Sequence, residues 1–209
     1  MKYSAIIVAG GRGRRAGLGY NKVFYEVEEG VTVLDLSMKI FLEDEDCEEV
    51  IVVTSKEDFE RVKAHEKLIL AEGGKERMDS VRNGLDKAGC EYVMIHDGAR
   101  PYLSKRSLEK CKEALKKGAF LLARPSVDTV KEVKDGKVVR TLDRRNIWLA
   151  ETPQGARREV LLKAYEQAKE GLFTDDASVL EAYGEEVQAV EDEDRNPKLT
   201  NAQDFRGRR

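Results

Sequence analysis

Histidine is scarce in this chain: only His65 and His96 occur among 209 residues. That leaves little material for a zinc cage or a Ser-His-Asp triad. His65 sits in a polar stretch read as helical and is taken as inert. His96 ends an apolar run beside Asp97 and reads as core. Cysteine is nearly as rare. Cys47, Cys90 and Cys111 are odd in number and form no Cys-x-x-Cys, which points to a reducing cytoplasm. No apolar run reaches the length of a membrane span and no signal peptide is visible, so a cytoplasmic location without a membrane partner is expected. An excess of one charge is also lacking. The net charge is −3, which gives no reason to expect a nucleic-acid partner. The acidic runs Glu43-Asp44-Glu45-Asp46 and Glu191-Asp192-Glu193-Asp194 read as solvated faces or loops.

Hydrophobic residues make up 41% of the chain, enough for one sizeable core. The most informative stretch is Ser4-Ala5-Ile6-Ile7-Val8, a short buried strand that breaks into Ala9-Gly10-Gly11-Arg12-Gly13-Arg14-Arg15 and closes on Lys22. Glycines allow sharp turns and close backbone approach, successive free N–H groups form an anion-binding concavity, and arginine suits phosphate oxygens. Gly11 to Ala16 also fits the loose dinucleotide fingerprint G-x-G-x-x-G/A. The glycine-rich continuation Gly17-Leu18-Gly19 is, however, a poor helix start. A Walker loop is excluded, because no Gly-Lys-Ser or Gly-Lys-Thr follows. A nucleoside-triphosphate loop is the third reading. A plain basic turn is disfavoured, since exposed turns seldom need three glycines within four residues behind a buried strand.

Strand-like runs at 4–8, 49–54, 67–72, 92–96, 119–125 and 187–190 alternate with helical patterns at 33–42, 56–64, 76–88, 105–117, 158–170 and 176–183. A terminal helix is expected from about 201. This rhythm predicts an α/β fold with a mostly parallel sheet and helices on both faces. Ligands bind beyond the carboxyl ends of such strands, where the arginine loop, Gly73-Gly74 and Asp97-Gly98-Ala99-Arg100 converge. Residues 129–134 and 137–141 flank Asp135-Gly136, a strong hairpin signal. Because the sheet reads as complete by Pro125, and a lone hairpin is marginal in water, the segment at about 127–147 is expected to be an arm that embraces a second subunit. The rest of 1–209 reads as a single domain.

Asp97 at a strand end is placed to hold a hydrated magnesium ion or a ribose hydroxyl, although a helix-capping turn would look the same. Gly73-Gly74-Lys75-Glu76-Arg77-Met78-Asp79-Ser80 opens a helix and could read a base or sugar, or simply cap. Asp128-Thr129, Asp143-Arg144-Arg145, Thr152-Pro153-Gln154, Thr174-Asp175-Asp176 and Asn196-Pro197-Lys198 are individually unremarkable. Taken together and in order, these motifs resemble the family of 2-C-methyl-D-erythritol 4-phosphate cytidylyltransferases, over essentially the whole chain. The resemblance implies a Rossmann-like fold, a homodimer with exchanged arms, and CTP and a polyol phosphate as substrates. Mg2+ would be bound mainly through the CTP phosphates, with Asp97 as its protein ligand.

By the same resemblance Arg15 and Lys22 hold the triphosphate, Lys198 holds the α-phosphate, and Arg144 of a partner's arm binds the 4-phosphate of methylerythritol phosphate. Thr129, Thr152, Asp97, Arg100 and Thr174 line that substrate's pocket. Ala9, Gly10, Gly11, Gly13, Gly74, Ser80 and Asp97 face the nucleotide. Asn21, which stands where a proline usually precedes the lysine, Ala16 and Lys75 depart from the family pattern. A phosphate monoester is already nucleophilic at neutral pH, so positioned cations suffice and a histidine or serine triad is unnecessary. Three alternatives stay open. They are a cytidylyltransferase for ribitol 5-phosphate or another polyol phosphate, an NAD(P)-dependent oxidoreductase, and a non-enzymatic nucleotide-binding domain.

Overall fold

The computed structural model describes residues 1–11, 19–168 and 173–205; Gly13, Arg15 and Ala16 lie outside these. Alternate residues of β1 (Tyr3–Val8) serve two cores. Ala5 and Ile7 face one and Ile6 the other, as the period of a strand requires. The first core is closed by α1 (Val33–Leu42), through Leu34, Met38 and Phe41. Two further small strands, β2 (Glu26–Glu28) and β3 (Val31–Thr32), pair with each other just before it. A reciprocal capping box between Thr32 and Asp35 starts that helix. β4 (Cys47–Thr54) and β5 (Leu68–Glu72) extend the sheet on one side.

The second core receives α2 (Arg77–Lys87) through Val81 and Leu85. β6 (Tyr92–Asp97) pairs with the other side of β1 in parallel. α3 (Lys105–Leu115) returns to the first face with Leu108, Cys111 and Leu115, and β7 (Ala119–Pro125) follows.

Beyond Pro125 the chain forms a separate two-stranded ribbon of β8 (Lys131–Lys134) and β9 (Lys137–Thr141). Its turn places Asp135 at φ 51° and Gly136 at φ 75°, the left-handed pair that the tight hairpin demands. Both strands are exposed throughout, with Val138 at 62% and nearby Val127 at 72%.

The sheet is not complete at Pro125, contrary to the sequence reading. β10 (Trp148–Arg157) inserts antiparallel between β6 and β7, and β11 (Val187–Glu191) adds to β7 in parallel. The order is β11-β7-β10-β6-β1-β4-β5. α4 (Arg158–Gln167) and α5 (Asp176–Tyr183) join α2 on the second face through Leu161, Tyr165, Val179 and Leu180. Two expected helices are smaller than predicted. Residues Lys56–Arg61 form a 3-10 helix that buries no side chain, leaving exposed His65 beyond it, and the terminal element is a 3-10 helix over Ala202–Phe205. Among the described residues no helix is long and apolar enough to cross a membrane.

Candidate active site

The carboxyl ends of β1 and β6 meet the start of α2 around a cleft of about 670 Å³. Ala9, Gly10 and Gly11 form one edge, Gly74 to Arg77 and Ser80 another, and Asp97 with Lys198 the floor. Strand pairing continues one residue past β1, where the Ala9 N–H donates to the Val53 carbonyl at 2.8 Å. Asn21, one of the three departures from the family pattern, makes two hydrogen bonds here. Its Nδ2 donates to the Ala9 carbonyl at 2.6 Å, and its Oδ1 caps the 3-10 helix Lys22–Phe24. A proline could do neither. Buried Val23 and Phe24 then anchor the turn that presents Lys22 to the cleft.

Gly74 is fixed by close approach: a Cβ there would lie 2.1 Å from the Asp79 Cβ. Its N–H donates to Ser80 Oγ at 3.0 Å, and that hydroxyl donates to the Glu76 carbonyl at 3.1 Å. Glu76 and Asp79 also form a capping box, so this loop caps α2 while its backbone borders the cleft.

Asp97 gathers three cations. Its carboxylate lies 2.8 Å from Lys198 Nζ, 3.5 Å from Arg100 Nε and 3.8 Å from Arg77 Nε. Burial alone would raise its pKa, but Lys198, Arg77 and Arg100 outweigh that and hold the carboxyl well below the usual range. Arg77 is itself oriented by a bidentate pair to Asp176, at 2.8 and 2.6 Å, and Asp176 also accepts from the Tyr165 hydroxyl. The Asp97 N–H donates to Thr152 Oγ1 at 3.0 Å, and Thr152 meets His96 Nδ1 at 3.0 Å. His96 is fully buried and, as expected, part of the core. Desolvation depresses its pKa to about 4, so the ring is neutral near pH 7.

Of the residues singled out from sequence, Ala9, Gly10, Gly11, Lys22, Gly74, Ser80, Asp97 and Lys198 come together around the cleft. Arg100 is buried behind Asp97, with Nη1 donating to the Asn196 carbonyl at 2.6 Å. Thr152 lies beneath Asp97, and exposed Thr174 precedes Asp175, the N-cap of α5. Thr129 and Arg144 are exposed at the arm, where Arg144 Nη1 donates to the Val127 carbonyl, and neither lines the cleft. Gly13 and Arg15 fall outside the described residues.

Arg77 and Asp176 carried no assigned role in the sequence reading. A signal existed: a cation in the first turn of a helix opposes the helix dipole and calls for a reason. Among the described residues no cluster of three or more His, Cys, Asp or Glu could cage a metal.

A profile of the 2-C-methyl-D-erythritol 4-phosphate cytidylyltransferases matches residues 3–207. The chain belongs to this family. It is similar to the Bacillus cereus protein named 2-C-methyl-D-erythritol 4-phosphate cytidylyltransferase, with 39% identity over 97% of this chain and 94% of the relative. The crystal structure of the Francisella tularensis protein of that name superposes with a TM-score of 0.84 at 32% identity, covering 98% of this chain and 97% of that one. The corresponding Thermus thermophilus structure gives 0.80 at 30% identity, covering 98% and 96%. Family membership favours neither the oxidoreductase nor the binding-domain alternative, and the Asp97-centred site agrees with a family that handles phosphates.

Proposed function

We propose that the chain joins CTP to 2-C-methyl-D-erythritol 4-phosphate, giving 4-diphosphocytidyl-2-C-methyl-D-erythritol and pyrophosphate, a step toward isoprenoid precursors. The observation that carries this reading is the cleft itself, which Lys22, Lys198 and an ionised Asp97 line together at the carboxyl ends of the strands. An oxygen of the 4-phosphate attacks the α-phosphorus of CTP, the bond from that phosphorus to the bridging oxygen breaks, and pyrophosphate leaves. Lys22, with Arg15, neutralises the departing phosphates, and Lys198 turns from Asp97 to the α-phosphate. The Ala9–Gly11 edge, Gly74 and Ser80 take the cytidine.

Magnesium fits as an ion held mainly by the CTP phosphates, with Asp97 as protein ligand, because Asp97 is ionised and borders the cleft but has no second and third carboxylate for a protein cage. Such an ion supplies further neutralisation of the triphosphate. Asp97, Arg100, Thr152 and Thr174 belong to the polyol-phosphate side, completed by Thr129 and Arg144 of a second copy's arm. The exposed valines of the hairpin support that exchange, since a ribbon with no buried side chain lacks a reason to fold alone. We read residues 1–209 as one nucleotidyltransferase domain with an arm, acting in the cytoplasm.

Pyrophosphate release from CTP and methylerythritol phosphate tests the assignment. Turnover should need both substrates and should fall steeply when GTP or ATP replaces CTP. Equal use of ribitol 5-phosphate, or equal use of GTP, would overturn the corresponding half of the reading.

A further inference from the structure

Behind Arg100 lies a feature that the reaction does not by itself require. Glu151, on β10, and Asp192, one residue past β11, are both buried, at 4% and 5% exposure. Both are fastened to the same stretch of β7, Glu151 to the Arg124 side chain and Asp192 to the Ala123 carbonyl, which sets their carboxyls beside each other. Each keeps one oxygen that no donor among the described residues reaches, Oε2 of Glu151 and Oδ2 of Asp192. The remaining oxygens are occupied. Glu151 Oε1 accepts from Arg124 Nε at 3.0 Å and lies 4.0 Å from Arg100 Nη1. Asp192 Oδ1 accepts from Ser107 Oγ at 2.6 Å and from the Asp194 N–H at 3.2 Å. Two buried acceptor-only groups in contact need a hydrogen between them.

We propose that Glu151 and Asp192 share a single proton and act as a positioning pair that holds the segment carrying Lys198 against the back of the site. Asp192 starts that segment and is tied to β7 by its N–H, which donates to the Ala123 carbonyl at 2.8 Å. Asn196 sits further along it. Its Nδ2 donates to the Thr152 carbonyl at 2.8 Å and its own carbonyl accepts from Arg100. The Leu199 N–H closes the stretch on Ala99. Loss of the proton sets two carboxylates against each other at the root of the segment that delivers Lys198.

The groups facing the pair do not remove this repulsion. Arg100 is shared with Asp97, and Arg124 is about half exposed with a side-chain exposure of 47%. α3 contributes the Ser107 hydroxyl, the Cys111 thiol and Lys110, whose ammonium is engaged by the Glu191 carbonyl and the Glu193 carboxylate. Burial first, then Asp192, raises the Glu151 pKa against the pull of Arg100 and Arg124, to about 7.

The positioning role rests on the proposed function; the shared proton does not. Glu151→Gln supplies a permanent N–H to Asp192, and Asp192→Asn supplies one from the other side. The melting temperature of either variant relative to wild type should rise by at least about 3 °C between about pH 5 and about pH 8, because only wild type must give up the proton. The ratio of kcat/KM for the polyol phosphate at about pH 8.5 to that at about pH 6.5 should rise at least about threefold in Glu151→Gln. A melting difference flat with pH in both variants overturns the shared proton. A rising melting difference with an unchanged kcat/KM ratio overturns the positioning role. If no pyrophosphate is released at any pH, the proposed function fails along with the positioning role, and the melting series still decides the shared proton.

Discussion

Two charge clusters sit at opposite ends of the sheet and are close to inversions of each other. At the carboxyl rim one carboxylate, Asp97, meets three cations, Lys198, Arg77 and Arg100. At the amino end one ammonium, Lys112 of α3, meets three carboxylates, Asp44 at 3.2 Å, Asp46 at 2.6 Å and Glu109 at 2.9 Å. The Lys112 side chain is only 8% exposed, and the N-terminal amine adds a further partner to Asp46 at 3.3 Å. Burial opposes the ammonium, but the three acids hold its pKa above the ordinary value. The Lys112 ammonium is enclosed by those acids. At the rim the Lys198 side chain is 39% exposed beside the cleft, which Lys22 also lines. A cluster of similar chemistry therefore fastens the α1–β4 turn to a helix at one end and, on the proposed function, receives a polyanion at the other.

Removing a cation from each end separates the two roles. At the rim, Lys22→Ala and Lys198→Ala should each lower turnover at least about a hundredfold, the scale of losing one charge-stabilising donor. Circular dichroism should stay near wild type for both, and melting near wild type for Lys22→Ala, whose side chain is not buried. Lys198→Ala removes the nearest partner of Asp97 but leaves Arg77 and Arg100, so its melting should fall only slightly. At the amino end Lys112→Met should do the reverse. It keeps the apolar stem but strands the acids, costing about 2 kcal/mol in denaturant unfolding. That is below the usual figure for a broken buried pair, since Asp46 and Glu109 reach solvent. Its kcat/KM should be unchanged. If Lys112→Met lost activity without losing stability, the contrast between the two ends would collapse.

On the proposed arm exchange, Arg144 adds a cation from outside the rim cluster. Arg144→Ala should raise KM for methylerythritol phosphate about tenfold, a smaller loss than at Lys22, and leave CTP binding nearly intact. Mixing Arg144→Ala with Lys22→Ala subunits under exchanging conditions should regain activity, since one site in each mixed dimer then has both residues. A mixture no more active than its parents would mean that each site is built from one chain.

How much of this could be read from the sequence depended on whether a segment owed its structure to local pattern or to its neighbours. β1, β4 and β6 are short apolar runs, α1 carries its own capping box, and Asp135-Gly136 dictates its turn, so these were legible. β10 was not. Its Glu151-Thr152-Pro153-Gln154-Gly155 is poor strand sequence, and it runs as a strand because β6 and β7 pair with Gln154 and Gly155 on both sides, while 151–153 form an irregularity in the ladder. Those same polar residues can be buried because the fold gives them partners: Thr152 holds Asp97, and Gln154 Oε1 accepts from the Ala177 N–H. The rim glycines and Lys198 were visible as motifs. The Arg77–Asp176–Tyr165 chain was not, because its members come from three helices that only the fold brings together.

The smallest effect concerns the hydrogen-bond chain beneath Asp97, and its sign distinguishes it from the Glu151 pair. His96 Nε2 lies 3.0 Å from the Arg100 carbonyl, which can only accept, so Nε2 carries the hydrogen. Nδ1 then accepts from the Thr152 hydroxyl, whose oxygen accepts the Asp97 N–H. Protonating Nδ1 would charge a fully buried ring and reverse the Thr152 bond. Because the folded pKa, about 4, lies below the ordinary 6.5, the unfolded chain binds the extra proton first. The stability this neutral ring contributes is present above about pH 6.5 and is lost as pH falls toward 4. Between about pH 7 and about pH 5.5 the loss should be about 1 kcal/mol. Glu151 tilts the other way, because its raised value makes the folded chain hold its proton longer, so stability falls as pH rises toward 7. Wild-type melting should therefore be nearly level across this range, a balance of two opposed groups. His96→Gln keeps Glu151 and removes only the acid-side loss, so its stability relative to wild type should improve by about 1 kcal/mol as pH drops from about 7 to about 5.5. Parallel melting curves for the two proteins would show that His96 titrates like an ordinary exposed histidine and that the chain beneath Asp97 does not depend on its neutral form.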